Sequence, residues 1–166
     1  MALTTRRFAA LVLVASLLVL GTALLSQYWG GLVPCELCLL QRWPWRVAIV
    51  LAALAWLAGD RFPLTPAALT FTLLFFISAG LGFYHLGVEQ HWFAGPTACS
   101  ASAGLTATTV EELRQQLLGV KPVMCDQVQW ALFGVSLAGW NMIASLALAG
   151  FCAASAAWLG PKRRLA

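Results

Sequence analysis

Four long apolar stretches, separated by brief polar breaks, constrain this chain more than any single residue does. They cover roughly residues 8–28, 39–58, 67–86 and 130–159. A helix crossing the hydrocarbon core of a bilayer needs roughly 20 apolar residues, and inside lipid such a helix satisfies its own backbone hydrogen bonds. Each stretch is long enough. The rest of the composition agrees: of 166 residues 61% are hydrophobic and 10% charged, where soluble domains carry roughly 25% charged residues. The chain therefore reads as a single membrane domain, with room for four spans and one modest extramembrane loop but no separate soluble domain. Its net charge of +4 comes from Lys and Arg scattered around the apolar blocks, which is the pattern of topology signals in a lipid bilayer and argues against a nucleic-acid partner.

The first stretch lies behind Arg6 and Arg7. It exceeds the roughly 7 to 15 residues of a signal-peptide core and no small-residue cleavage site follows, so it reads as a retained helix. Gln27, Tyr28, Trp29, Gly30 and Gly31 form its interfacial end. The second stretch carries Arg42, Pro44 and Arg46 in its outer part. There the arginines can snorkel to the headgroups and Pro44 can kink the helix. Gly59 closes this helix and Pro66 opens the next, which makes the second and third spans an antiparallel hairpin. The polar loop at 87–129 contains a capping-box pair, Thr108 and Glu111, with Val110, Leu113, Leu117 and Leu118 as an apolar stripe. That pattern predicts a short amphipathic helix over 108–118, lying along the membrane surface or packed on its own loop. The fourth stretch is longer than the bilayer requires and implies tilt or extension into the headgroups. The expected fold is all-α: a four-transmembrane-helix bundle whose periplasmic loop carries a short amphipathic helix.

Placing both termini and the 59–66 turn on one side puts six cations there (Arg6, Arg7, Arg61, Lys162, Arg163, Arg164) against four opposite (Arg42, Arg46, Arg114, Lys121). The positive-inside rule makes the first side cytoplasmic. Four of the five cysteines, Cys35, Cys38, Cys99 and Cys125, then face outward, which in a bacterium is the oxidising periplasm.

The chemistry concentrates in Pro34-Cys35-Glu36-Leu37-Cys38-Leu39-Leu40-Gln41-Arg42. Pro34 suits the first position of a helix, which would place Cys35 in the first turn, where free N–H groups and the helix dipole favour a thiolate. Cys38 and Arg42 are four residues apart and share a helix face. A thiol, a guanidinium and a membrane boundary at one spot suggest redox chemistry with a membrane-soluble partner. Other uses of the cysteines compete. Zinc sites more often repeat a close-spaced ligand pair, whereas Cys125 follows Cys99 by 26 positions. Haem attachment needs a His after the CxxC, and Leu39 stands there. A permanent structural disulfide within CxxC closes almost no loop and so removes little unfolded-state entropy.

The nine-residue motif, the loop from Tyr84-His85 to Cys99, the second loop cysteine Cys125 and the four-span order together resemble the bacterial disulfide bond formation protein DsbB family, over nearly the whole chain. The resemblance implies a thiol:quinone oxidoreductase of the bacterial inner membrane. It implies that Cys99 and Cys125 form the disulfide attacked by a DsbA-like periplasmic thioredoxin-fold protein, with Cys99 the mixed-disulfide partner. It implies that Cys35 and Cys38 re-oxidise the loop pair through an inter-loop disulfide, most plausibly Cys35 with Cys125. Cys38 would then sit against a membrane quinone, ubiquinone or menaquinone, with Arg42 beside it and His85 near the quinone pocket. His91 competes with His85 for that position. Glu36 departs from the apolar residue common inside the family's CxxC.

Arg42 has a bland alternative role as an interfacial cation binding lipid phosphate. Cys152, deep in the fourth stretch, reads as a packing residue, and Asn141 as an interhelical hydrogen-bonding group. No metal ligand set is expected. Two other readings remain at this level: a vitamin K epoxide reductase-like enzyme, in which the loop pair precedes the CxxC rather than following it as here, and a non-enzymatic membrane zinc-binding or structural scaffold.

Overall fold

A computed structural model of the chain describes residues 3–96, 109–110 and 124–159. Cys99, the helix expected over 108–118 (apart from Thr109 and Val110) and the basic residues 162–164 lie outside the described residues. Among the described residues four helices are long and apolar enough to cross a membrane: α1 Thr5–Tyr28, α2 Glu36–Ala58, α3 Leu64–Glu89 and α4 Leu137–Leu159. The protein is a four-helix membrane bundle. Within the most apolar window of each helix only 22% to 39% of residues are buried by the protein itself. The remaining surface, with Leu18, Leu54, Leu57, Leu73 and Phe76 among its exposed side chains, is left to lipid.

Local chemistry sets the helix ends. Thr4 caps α1, its hydroxyl accepting from the Arg7 N–H at 3.3 Å. Gly59, at φ +63, ends α2, and a three-residue 3₁₀ turn, Gly59–Arg61, leads into α3. Asp60 in that turn accepts from the Arg6 N–H at 3.2 Å, which ties the turn to the start of α1. Pro44 is buried inside α2, and the helix continues through it to Ala58.

Two boundaries depart from the sequence reading in ways that matter. The third helix runs to Glu89 instead of ending near 86, so His85 and Glu89 stand one turn apart on regular helix. The fourth begins at Leu137, not Trp130. The apolar run over 130–136 is interrupted by Phe133 (φ +53) and Gly134 (φ +77), a left-handed pair that a helix cannot contain but a tight hairpin requires. Ala131–Leu132 (β1) and Val135–Ser136 (β2) form that antiparallel hairpin, with Ala131 opposite Ser136. The Ser136 hydroxyl accepts from the Gly139 N–H at 3.2 Å and so caps the start of α4.

The helices pack chiefly as α1 on α2 and α3 on α4. Small residues allow close approach: a Cβ added at Gly82 would stand 3.0 Å from Met142 Cβ. Ser145 and Ser78 hydrogen-bond between α4 and α3 at 2.8 Å. The core gathers Phe8, Val12, Trp45, Ala48, Ala52, Phe71, Phe75, Ala149 and Cys152. In it the Phe8 ring lies between Phe71 and Phe151, with centroids 5.9 and 5.7 Å away. Cys152 is fully buried there as a free thiol.

Candidate redox site

Cys35 sits just before the second span and is the N-cap of α2, one position outside the first turn that the sequence suggested. The difference is chemical, because a capping side chain itself accepts the helix's free N–H groups. Cys35 Sγ accepts from the Cys38 N–H at 3.3 Å and lies 3.0 Å from Cys38 Sγ in a shared hydrogen bond. His85 Nε2 is 3.6 Å away on its other side. The hydrogen bond with Cys38, then those from His85 and from the Cys38 N–H, outweigh burial and hold the Cys35 thiol well below its ordinary value of 9.0, at about 4. Cys35 is therefore the thiolate of the close pair, with Cys38 donating to it.

His85, 3% exposed, is positioned by Gln41, whose side-chain nitrogen lies 2.8 Å from Nδ1. With the amide donating, Nδ1 is the acceptor and the ring proton stands on Nε2, the nitrogen facing the Cys35 sulfur. Cys35, Cys38 and His85 offer three donor atoms within 4.8 Å of one another, and in this tautomer His85 donates to the thiolate. His91 is exposed and lies beyond the end of α3, at φ +58.

Arg42 is 8% exposed and does not snorkel outward. Its Nη1 donates to Gln27 Oε1 at 2.6 Å and its Nη2 to the Ala23 carbonyl at 3.4 Å, both on α1. Arg46, in contrast, is exposed, with its guanidinium 5.5 Å from the Trp43 ring centroid. Helical spacing puts Cys38 and Arg42 on one face, as expected, but the cation is held by α1.

Cys125 is bonded in a disulfide, while Cys35 and Cys38 are free. It is nonetheless next to them: Cys35, Leu37, Val88 and Cys125 form one buried cluster, with Cys38 and Tyr84 packed against it. The chain leaving α3 is folded back toward this cluster. Tyr84 donates to the Ala94 carbonyl at 2.9 Å, and the Phe93 ring occupies the space a Cβ on Gly87 would need.

Beside the thiols is a cavity of about 290 Å³ whose walls come from all four helices, among them Val19, Cys38, Arg42, Trp45, His85, Glu89, Asn141 and Ala144. Its mostly apolar lining with a few polar groups suits a ring-shaped ligand. The Asn141 amide is held by Trp45, whose Nε1 donates to Oδ1 at 2.7 Å, and its Nδ2 is a buried donor with no partner. Glu89, one turn beyond His85, was not singled out by sequence reasoning. The signal was available as a His and a Glu four residues apart, but only if the third helix was carried past residue 86.

A four-helix membrane bundle with a dithiol at one helix start, a bonded loop cysteine packed on it and a mixed apolar-polar cavity alongside defines a membrane protein of the disulfide-exchanging class. Comparison with known proteins places it further. The family profile for "Disulfide bond formation protein DsbB" matches residues 5–155, and the chain belongs to that family. "Disulfide bond formation protein B" of Hahella chejuensis is 32% identical over 167 residues, 95% of this chain and 95% of that protein. The protein of the same name from Verminephrobacter eiseniae is 31% identical over 145 residues, 84% of this chain and 79% of that one. No solved structure matches at a significant level. Membership makes the chain a multi-pass membrane oxidoreductase of disulfide formation.

Proposed function

We propose that the chain re-oxidises a periplasmic DsbA-like thioredoxin-fold protein and passes the electrons to a membrane quinone, ubiquinone or menaquinone, from the bacterial inner membrane with both termini cytoplasmic. The observation that carries this reading is the common burial of Cys35 and Cys125, because exchange between a loop disulfide and a membrane-edge dithiol needs the two within reach. The reduced partner attacks the Cys99–Cys125 disulfide at Cys99, and the thiolate released at Cys125 attacks the oxidised Cys35–Cys38 pair at Cys35, forming the Cys35–Cys125 bond and releasing Cys38 as the thiolate that faces the quinone. The bonded state of Cys125 supports that starting point. A low-pKa thiol leaves readily in exchange, which suits Cys35 as the inter-loop member.

The cavity residues fit a quinone head group. Arg42 and the unused Nδ2 of Asn141 are donors for ring carbonyl oxygens, and the apolar walls accept the ring. Cys38, facing the same cavity, is the sulfur placed to give up electrons. A bound quinone supplies a two-electron, two-proton sink. The Arg42 guanidinium stabilises negative charge developing at the ring. His85 holds Cys35 as the thiolate. Mixing the purified, dithiol-reduced protein with ubiquinone and following quinone absorbance tests the reading. Quinone loss that disappears in Cys38→Ala is expected, and equal loss in Cys38→Ala would refute it.

A further inference from the structure

The electron route above leaves a proton unassigned, and the structure holds a group to carry it. Glu89 ends α3 with its side chain 6% exposed. Its Oε1 lies 3.9 Å from His85 Nε2, the Ser136 hydroxyl hydrogen-bonds the carboxyl, and Oε2 is buried without a partner. Burying an ionisable side chain is costly, and such groups gather at functional sites. Arg42, which also lines this cavity, is engaged by Gln27 and Ala23. The groups around the carboxyl are Cys35 and Cys38 from α2, His85 from its own helix and Ser136 from the hairpin, with Gln127 and Gln129 on the segment that also carries Asp126.

We propose that Glu89 stores the proton that Cys35 gives up on becoming a thiolate, with His85 positioned between the two, and delivers it to the quinone as the close pair is oxidised. This rests on the quinone reading. In the reduced site Cys35 is S⁻ and Cys38 is S–H. Forming the Cys35–Cys38 bond breaks the Cys38 S–H bond and releases two electrons and one proton, whereas a quinone leaving as the quinol takes up two electrons and two protons. The second proton is the one lost earlier by Cys35. The His85 Nε2–H group, 3.6 Å from Cys35 Sγ and 3.9 Å from Glu89 Oε1, holds the thiolate and the carboxyl side by side, which keeps that proton beside the cavity instead of releasing it to water. Once the thiolate is consumed, the Glu89 carboxyl loses the neighbouring negative charge that held the proton on it, and the proton moves on.

Counting protons separates storage from a merely structural tie to Ser136. In full-length protein carrying Cys99→Ala and Cys125→Ala, so that only the close pair reacts, the reduced site is oxidised with ferricyanide, which takes electrons but no protons. A pH indicator at about pH 6 to 7 then reads about two protons per disulfide formed, because Cys35 is ionised there with its proton still in the site. Glu89→Gln keeps the shape and a hydrogen bond to Ser136 but cannot hold a proton, so its Cys35 proton is already in bulk water and about one is released. Glu89→Asp restores about two. The same count in Glu89→Gln as in the parent, or a count of about one in Glu89→Asp, overturns the proposal. The quinone reading is judged separately: a parent protein that ferricyanide oxidises but quinone does not would end the electron route and still leave the proton count to decide on Glu89.

Discussion

The guanidinium of Arg42, on α2, donates to the Gln27 side chain, on α1, at 2.6 Å. The positive charge beside the cavity is therefore aimed from the first helix. Hydrogen bonds involving a charged group contribute roughly 1.5 to 3 kcal/mol. Gln27→Ala frees the guanidinium while leaving its charge, so a drop of about tenfold in efficiency with quinone is expected, against about ten- to hundred-fold for Arg42→Ala. Arg42→Lys, a point charge without the planar fork, should also fall short of wild type. Quinone-titration kinetics read all three. An unchanged quinone dependence in Arg42→Ala would make Arg42 a structural tie between α1 and α2.

The pH dependence of the close pair follows from Cys35. Its thiol is held at about 4, below its value in the unfolded chain. The sign is that of a depressed acid: the stabilisation is complete above the unfolded value, near 9.0, and is lost as pH falls through about 4. Alkylation of the reduced protein at Cys35, followed by mass spectrometry, should therefore be nearly flat from neutral pH down to mildly acidic pH. A rate that instead climbs steeply toward pH 9 would mean an ordinary thiol. His85→Ala should move the fall in rate to higher pH, since it removes one of the hydrogen bonds that lower Cys35.

Cys152 lies in the core with Ala149 and Phe75, apart from the cavity. Cys152→Ala removes one buried sulfur, an effect of about 1 kcal/mol on stability by analogy with small core truncations, with turnover unchanged. Thermal unfolding in detergent and a thiol-oxidation assay measure the two. Loss of turnover in a folded Cys152→Ala protein would contradict the assignment of redox thiols.

The orientation is tested by reporter fusions. Fusions after residues 64 and 164 should report cytoplasm and one near Ser102 should report periplasm. A periplasmic signal from the 59–66 turn would place the thiols in a reducing compartment.

The four spans were legible because apolar length is a property of single segments, and the CxxC with its following arginine was legible because its spacing lies within one helix. What escaped depended on neighbours or on a few dihedral angles. Trp130 looked like the start of the fourth span until Phe133 and Gly134 turned the chain into a hairpin. Arg42 was legible as a cation beside Cys38, but nothing local reveals a glutamine 15 positions earlier as its partner. Cys35 became the helix cap because its own sulfur satisfies the Cys38 N–H. The pairing of His85 with Glu89 became visible only once α3 was seen to run to its last residue.

The most direct test of the central claim is a coupled turnover measurement with purified wild-type protein, a reduced DsbA-like thioredoxin-fold partner and ubiquinone, following partner thiols and quinone absorbance together. The account predicts one quinone reduced for each pair of partner thiols oxidised. It also predicts that Cys99→Ala and Cys125→Ala each abolish partner oxidation while the close pair still reacts with quinone. Partner oxidation that proceeds without quinone loss, or that survives the removal of Cys125, would contradict it.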